Sequence, residues 1–251
     1  MQWTDDAIVL SARAYGEGSA VLSVITRDHG RHAGLVRGQK TRQPLQPGVK
    51  VVATWRGRLE EHLGTFEVEI DDGRAAGLAY DDPLRLAALT SACALVEAAA
   101  PERVVMRPLY EGLSALLDLL PDPVWDAVYV QWEVGLLSTL GFRLSLDTCA
   151  ATGANDQLAY VSPRTGRAVS LSAGEPYREK LLPLPGFLIG QGDADADAVS
   201  NGLALTGYFL ARGLFAQTHG EVPAARRRFV ERYRRTLAKS AIPLGPSDDP
   251  S

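Results

Sequence analysis

The chain has 251 residues, of which 46% are hydrophobic and 22% are charged. This composition supports a packed core and excludes a largely disordered protein. The length predicts two unequal domains, or one domain with an insertion. Two cysteines are too few for a disulfide scaffold or a multi-thiol metal site. The N-terminus lacks the features of a signal peptide, and the most apolar stretch, at 84–100, is too short and too interrupted by charges to span a bilayer. We therefore expect a cytoplasmic protein without membrane contact.

The net charge of −4, taken alone, argues against a nucleic-acid-binding protein, but the charge is unevenly distributed. Residues 27–58 contain eight cations and one anion, and residues 226–239 contain seven cations and one anion. Residues 81–211 contain sixteen anions and eight cations. Two basic segments therefore flank an acidic middle, and this segregation allows local positive surfaces that the whole-chain sum conceals.

Short β-branched or alternating runs occupy the first 80 residues and are separated by glycine- and proline-containing turns. These runs cover residues 7–15, 20–26, 31–37, 49–56 and 64–70. Five short strands in this length predict a small, strongly bent barrel. In the fourth run Trp55 alternates with Val49 and Val51 on one face, which favours core packing over a base-stacking role for its indole. The cationic segment 37–42 is typical of a loop that grips phosphates.

From Asp81 onward the hydrophobic period lengthens from two residues to about 3.6, which predicts helices. Helices are expected over residues 81–101, 105–120 and 122–141, from about 197 to 215, and from 223 onward. The last one carries apolar residues on one face and regularly spaced cations on the other. Turn-rich residues 142–190 predict a loop or ribbon insertion. The predicted fold class is multidomain α+β, with the barrel followed by an α-helical domain.

The chain matches no catalytic or metal-binding motif well. Residues 34–41 approach a phosphate-binding loop, but Gln39 separates the glycine from the lysine that must adjoin it. The acidic run 193–197 lacks the turn glycine and bidentate glutamate of a calcium loop. His29 and His32 have no further metal ligand nearby. We therefore predict no catalytic residue, no metal and no cofactor, and expect that the protein is not an enzyme.

The basic segments leave two interpretations open. They form DNA-binding surfaces, or they belong to a non-catalytic interaction module that binds acidic protein tails rather than DNA. The candidate DNA-binding residues of the first segment are Arg31, Arg37, Lys40, Arg42, Lys50, Arg56 and Arg58. The candidates of the last helix, for DNA or an acidic protein tail, are Arg226, Arg227, Arg228, Arg232, Arg235 and Lys239.

Several short segments form a pattern that spans most of the chain. Its first half contains IVL at 8–10, YGEGS at 15–19, TRDHG at 26–30, VRGQK at 36–40 and LQPG at 45–48. Its second half contains YVSPRTGRAV at 160–169 and LLPLPGFL at 181–188. In this order, the segments resemble the RecO family of bacterial recombination mediators.

The resemblance implies an OB-fold barrel at 1–80, a helical domain at 81–244 with a degenerate zinc-ribbon-like insertion at about 142–190, and a disordered tail at 245–251. It also implies a nucleoid-associated, non-enzymatic mediator of homologous recombination in the RecF pathway of DNA repair. Such a protein binds single- and double-stranded DNA, anneals complementary strands, and helps RecA load onto strands coated with single-strand-binding protein (SSB). The implied partners are RecR and the acidic C-terminal tail of SSB.

One departure from the family pattern concerns zinc. Many relatives hold the ribbon with a four-cysteine zinc site. Cys149 stands at the first ligand position of that site, but Thr152 stands where a second cysteine is expected, and no cysteine follows near Gly166. We therefore expect no zinc in this chain, and we expect hydrogen bonds and apolar packing to hold the ribbon instead.

Overall fold

A computed structural model describes residues 1–37, 45–59, 63–72, 81–217 and 220–240. The chain begins with a closed five-stranded barrel. Its strands are β1 (Gln2–Ala14), β2 (Ser19–Thr26), β3 (Gly30–Arg37), β4 (Lys50–Arg56) and β5 (Thr65–Asp72). All five overlap the β-branched or alternating runs from which strands were predicted.

The strand order around the barrel is β1-β2-β3-β5-β4, the closed arrangement of an OB fold. Adjacent strands pair antiparallel, except that β3 meets β5 in parallel where Leu35 lies opposite Thr65. β1 is long enough to pair with both β2 and β4, and its register shifts between Val9 and Ser11. Such a bulge bends a strand, so β1 can curve around the barrel. The prediction of an N-terminal OB fold in an α+β protein is confirmed.

Trp55 lies in the barrel core with no exposed surface, as its alternation predicts. Its indole Nε1 donates a hydrogen bond to the Leu63 carbonyl at 3.3 Å. Two glycines make room for the ring, because a Cβ at Gly57 or Gly64 would lie 2.3 or 2.4 Å from indole carbons. Since Trp55 is enclosed in this way, it is unavailable to stack on a base.

Five helices of the second region were predicted from periodicity and are present, with shifted ends. They are α1 (Pro83–Ala99), α2 (Arg107–Leu119), α3 (Trp125–Thr139), the helix Ala196–Phe209 and the helix Ala224–Ser240. Asp82 begins α1 as predicted: its side chain accepts from the amides of Leu84 and Arg85 at 2.7 and 3.2 Å. None of the helices in the described residues is both long and apolar enough to cross a membrane.

The turn-rich insertion contains a small sheet, with β6 (Leu158–Val161) between β7 (Ala168–Ser170) and β8 (Leu182–Pro183). A short helix α4 (Leu171–Gly174) and short 3₁₀ helices at Glu175–Lys180 and Gly186–Ile189 complete it. The helix Ala196–Phe209, which we number α5, packs Leu205 and Phe209 against this ribbon. A π-helical turn (Leu210–Leu214) and a short α6 (Phe215–Gln217) then lead to the last helix, α7.

The barrel and the helices share one continuous apolar core. At the contact, Ser11 Oγ donates to Glu97 Oε1 at 2.6 Å, and Gly48 lies close enough to Leu89 that a Cβ would approach its side chain to 2.9 Å. The predicted boundary near residue 80 falls in the segment 73–80, and the predicted tail at 245–251 follows residue 240. Both lie outside the described residues.

Candidate nucleic-acid interface

Two cations of the first basic segment face the helices. Arg31 donates from Nε to the Ala100 carbonyl at 2.8 Å and pairs with Glu102 at 3.3 Å, which leaves its side chain 17% exposed. Lys50 Nζ lies 2.8 and 2.9 Å from the two carboxylate oxygens of Asp118 on α2. Because acidic residues of the helical region compensate both charges, we remove Arg31 and Lys50 from the predicted DNA-binding surface.

Three other cations of that segment lie at or just beyond the ends of β3 and β4. Leu35 and Arg56 both lie opposite Thr65, one in the β3–β5 pairing and the other in the β4–β5 pairing. Because β3 runs parallel to β5 and β4 runs antiparallel to it, Arg37 extends beyond Leu35 in one direction and Arg58 extends beyond Arg56 in the other. We name the three strand-end arginines, Arg37, Arg56 and Arg58, the basic barrel end.

The turn between β1 and β2 lies beside Arg37, because Ser19, at the start of β2, lies opposite Arg37. Tyr15 opens this turn and is 61% exposed. OB folds bind oligonucleotides with their β1–β2 and β4–β5 loops; here the β1–β2 loop adjoins Arg37, and the β4–β5 loop adjoins Arg56 and Arg58. An exposed ring beside cations is the combination that holds single strands, since the ring stacks on a base and the cations contact phosphates. Alternation patterns give no signal for an exposed turn residue, and sequence reasoning therefore missed Tyr15.

The three arginines of the basic barrel end differ in whether their guanidinium groups already form an ion pair. Arg56 Nη1 pairs with Glu67 Oε1 at 2.6 Å, and its guanidinium remains about half exposed (49%). Arg37 and Arg58 are exposed, and no ion pair of either is present within the described parts of the chain. Arg56 and Arg58 line an open hollow of about 480 Å³. Lys40 and Arg42, also predicted to bind DNA, lie outside the described residues.

On α7 the predicted cations divide between core and surface. Arg226 is buried: its Nε and Nη2 donate to the Glu133 carboxylate at 2.7 and 2.9 Å, and Nη2 also donates to the Leu203 carbonyl at 2.8 Å. The Glu133 side chain has no exposed surface and that of Arg226 has 7%. The prediction that Arg226 belongs to a binding surface is therefore wrong. Arg227 is exposed and pairs with Glu221 at 3.5 Å.

Three further arginines of α7 line a cleft against α1. Arg228, Arg232 and Arg235 lie around a floor that includes Leu86 and Ala87, and the cleft measures about 420 Å³. Arg232 is held in place by donating from Nη1 to the Pro83 carbonyl at 2.8 Å. The predicted spacing therefore does bring these cations together, with Glu231 as an acidic neighbour. The side chain of Lys239 lies outside the described residues. We name this feature the arginine cleft.

An apolar groove between α2 and α3 was missed by sequence reasoning. It measures about 240 Å³ and is lined mainly by apolar side chains, including Leu109, Leu116, Trp132 and Leu136. No charged residue is part of its described lining. The leucine stripe of α2 predicts burial but does not show that the space between the helices is incompletely filled.

Comparison with known proteins agrees with this architecture. The family model described as Recombination protein O N terminal matches residues 1–73, and the one described as Recombination protein O C terminal matches residues 80–220. The chain belongs to the RecO family. This confirms the resemblance inferred from the sequence segments.

Relatives named DNA repair protein RecO match along nearly their whole length. The protein from Rhodospirillum centenum is 58% identical over 251 residues, covering 98% of this chain and 100% of the relative. The one from Rhodospirillum rubrum is 48% identical over 249 residues, covering 95% and 98%. The one from Cereibacter sphaeroides is 46% identical over 235 residues, covering 92% and 98%.

The four-cysteine zinc site that the resemblance implies for many relatives does not fit the residues of this chain. Cys149 is fully buried and its sulfur accepts from the Ser170 amide at 3.3 Å, with Ser170 Oγ at 3.5 Å. Burial raises the pKa of the thiol, but hydrogen bonds from Ser170 and Thr152 outweigh that effect and lower the pKa to about 6. One thiol with two hydroxyls is not a set of nitrogen and sulfur ligands for structural zinc. These hydrogen bonds and a small apolar cluster hold the ribbon.

Proposed function

We propose that this protein is a DNA-binding mediator of homologous recombination and DNA repair that acts in the RecF pathway. In this role it binds single- and double-stranded DNA, anneals complementary strands, and works with RecR to load RecA onto SSB-coated strands. The observation that carries the proposal is the basic barrel end beside the two loops that OB folds use for oligonucleotides. The names of the RecO-family relatives support the repair role. We propose no catalytic activity and a cytoplasmic, nucleoid-associated location.

Annealing follows from contacts to the phosphate backbone. Arg37, Arg56 and Arg58 are exposed at the ends of their strands and offer charge to phosphates. Neutralised strands repel each other less, and because backbone contacts leave base edges uncovered, the bases remain free to pair. Binding of this kind releases counterions, so the affinity for single strands falls with salt by a slope of about −0.7 per contacted phosphate.

The proposal is tested by the binding of a fluorescent single-stranded oligonucleotide, measured by anisotropy across a salt series, together with a strand-annealing assay. We expect tight binding at low salt, a steep negative salt slope, and annealing faster than that of the free strands. Absence of binding at low salt would contradict the proposal and leave the family membership as a statement about fold.

The rival interpretation is an interaction module that binds acidic protein tails and no DNA. The variant Arg37→Ala/Lys40→Ala/Arg42→Ala separates the two. If the cationic segment 37–42 binds DNA, the variant loses affinity and its salt slope becomes shallower. If DNA affinity and slope stay unchanged while binding of an acidic partner collapses, the interaction module is correct for this surface.

We further propose that the arginine cleft receives the acidic C-terminal tail of SSB. Its three guanidinium groups stand around an apolar floor, which suits a peptide that combines carboxylates with a phenylalanine side chain. The alternative, additional contacts to DNA, uses the same cations. An SSB-tail peptide should lose affinity for Arg228→Ala/Arg235→Ala, while Gly112→Leu, which fills the apolar groove, should have no effect. The reverse result would place the tail in the groove and refute the assignment to the cleft.

A further inference from the structure

A second cationic cleft is formed by residues outside both basic segments. It is formed where the ribbon meets α5 and the π-helical turn, and it measures about 220 Å³. Arg143, Arg164 and Arg212 contribute to its wall, together with the rings of Phe142 and Tyr208. No acidic side chain is among its described lining residues. We name it the ribbon cleft.

The backbone fixes two of these arginines relative to each other. The Ser145 amide donates to the Gly166 carbonyl at 2.9 Å, and the Ala168 amide donates to the Ser145 carbonyl at 2.8 Å. The hairpin tip is closed by the Gly166 amide, which donates to the Ser162 carbonyl at 2.9 Å. Because Arg143 precedes this paired segment and Arg164 lies in the tip, both are carried on ordered backbone.

The third arginine is presented by irregular helix. Arg212 lies in the π-helical turn Leu210–Leu214, a type of distortion that often accompanies functional sites. Its guanidinium carbon lies 5.8 Å from the centre of the Tyr208 ring, within cation–π range. Gly213 lets Phe142 approach closely, since a Cβ there would lie 3.0 Å from the Phe142 ring. The ribbon cleft therefore brings the guanidinium group of Arg212 together with the aromatic rings of Tyr208 and Phe142.

The charges of the ribbon cleft are uncompensated, unlike those of Arg31, Lys50 and Arg226. Arg143, Arg164 and Arg212 are exposed, and the ion pairs formed between described residues include none of them. A cluster of three unpaired guanidinium groups raises the local potential and attracts an anion. Because no acidic side chain of the described lining neutralises this positive potential, we expect a negatively charged ligand to do so.

We propose that the ribbon cleft binds one segment of single-stranded DNA, with its phosphates on Arg143, Arg164 and Arg212 and one unpaired base against Tyr208. This inference rests on the proposed DNA-binding function and adds a second contact region to it. The cleft is smaller than the roughly 300 Å³ at which pockets for whole small ligands begin, so it admits a single group rather than an enclosed nucleotide cofactor. Stacking requires a base outside a duplex, and the proposal therefore predicts a preference for single strands.

The test compares variants by anisotropy with three probes of equal length: an oligothymidylate, an abasic strand with the same phosphates, and a duplex. Arg143→Ala/Arg164→Ala/Arg212→Ala should weaken oligothymidylate binding by tenfold or more, and its salt slope should become shallower by about 0.7 for each phosphate that the variant no longer binds. Tyr208→Leu should weaken oligothymidylate binding by about tenfold, the effect expected for one stacked base. Tyr208→Leu should leave binding of the abasic strand and the duplex unchanged.

The matched control is Arg13→Ala/Arg178→Ala/Lys180→Ala, which removes the same charge from exposed positions outside the cleft. Circular dichroism and thermal melting confirm that each variant is folded. If the folded cleft variant binds all probes like the control, the inference is refuted. If Tyr208→Leu affects the normal and abasic strands equally, the stacking contact is refuted. Failure of the proposed function itself looks different, because the wild-type protein would then bind no probe.

Discussion

The buried pair of Arg226 and Glu133 gives the sharpest prediction about stability. Replacement of Arg226 by Met keeps the length of the side chain and removes its charge. Glu133 then keeps a carboxylate with no exposed surface and loses two charge-assisted hydrogen bonds of 2.7 and 2.9 Å. Breaking a buried pair on one side costs about 3–5 kcal/mol because the remaining charge is uncompensated. We therefore expect Arg226→Met to lower the free energy of unfolding by that amount.

Urea unfolding of a double-mutant cycle measures this effect. The double variant Arg226→Met/Glu133→Leu should be more stable than Arg226→Met alone, because it removes the unpaired charge as well. The matched control is Arg227→Met, because the Arg227 side chain is 54% exposed, pairs with an exposed glutamate and donates to the Val222 carbonyl at 3.2 Å; it should change stability by less than about 0.5 kcal/mol. If Arg226→Met costs under about 1 kcal/mol and instead lowers DNA affinity, the assignment of Arg226 to the core is refuted.

Three more predictions concern the barrel, its contact with the helices, and the ribbon. Gly64→Ala should lower the free energy of unfolding in urea by about 2–4 kcal/mol, because Gly64 has a φ of +63° and a Cβ there would lie 2.4 Å from Trp55. The control Gly16→Ala has a similar φ of +62° but open space around its Cβ. It should cost about 1–2 kcal/mol. Lys50→Ala should leave oligonucleotide affinity unchanged and cost at most about 1 kcal/mol, so a loss of affinity would return it to the DNA surface. Since the folded-state pKa of Cys149 is lowered from 9.0 to about 6, the stabilisation from its thiolate is complete above pH 9 and lost as pH falls through 6. The stability advantage of wild type over Cys149→Ser should shrink over that range, and a pH-independent difference would contradict the lowered pKa.

The fold followed from patterns that are local in sequence. Short β-branched or alternating runs between turn signals located all five barrel strands; in β3 and β4 the alternation reflects one face that packs into the core and one that does not. Asp82 and Pro83 located the start of α1 because a side-chain cap and a first-turn proline are local signals. Where no side chain caps the helix, as at Met106 before α2, the observed helix end differs from the predicted one by a few residues.

The sequence predicted the candidate site less accurately than the fold, because whether a cation reaches the surface depends on residues that are distant in sequence. Arg226 and Glu133 are 93 residues apart, and Lys50 and Asp118 are 68 apart, so no window of sequence shows that these charges are paired. For the same reason the ribbon cleft, which collects arginines from three elements, had no sequence signal. A run of like charges therefore predicted a positive surface but not which of its members reach it.

The central claim, that the basic barrel end contacts DNA phosphates, is tested most directly by Arg37→Ala/Arg56→Ala/Arg58→Ala. The measurement is the salt dependence of oligothymidylate binding for this variant, wild type, and the charge-matched control Arg13→Ala/Arg178→Ala/Lys180→Ala. We predict that the control keeps the wild-type slope and that the slope of the barrel variant is shallower by about 2, at roughly 0.7 for each of three phosphate contacts. A folded barrel variant with the affinity and slope of wild type would contradict the claim.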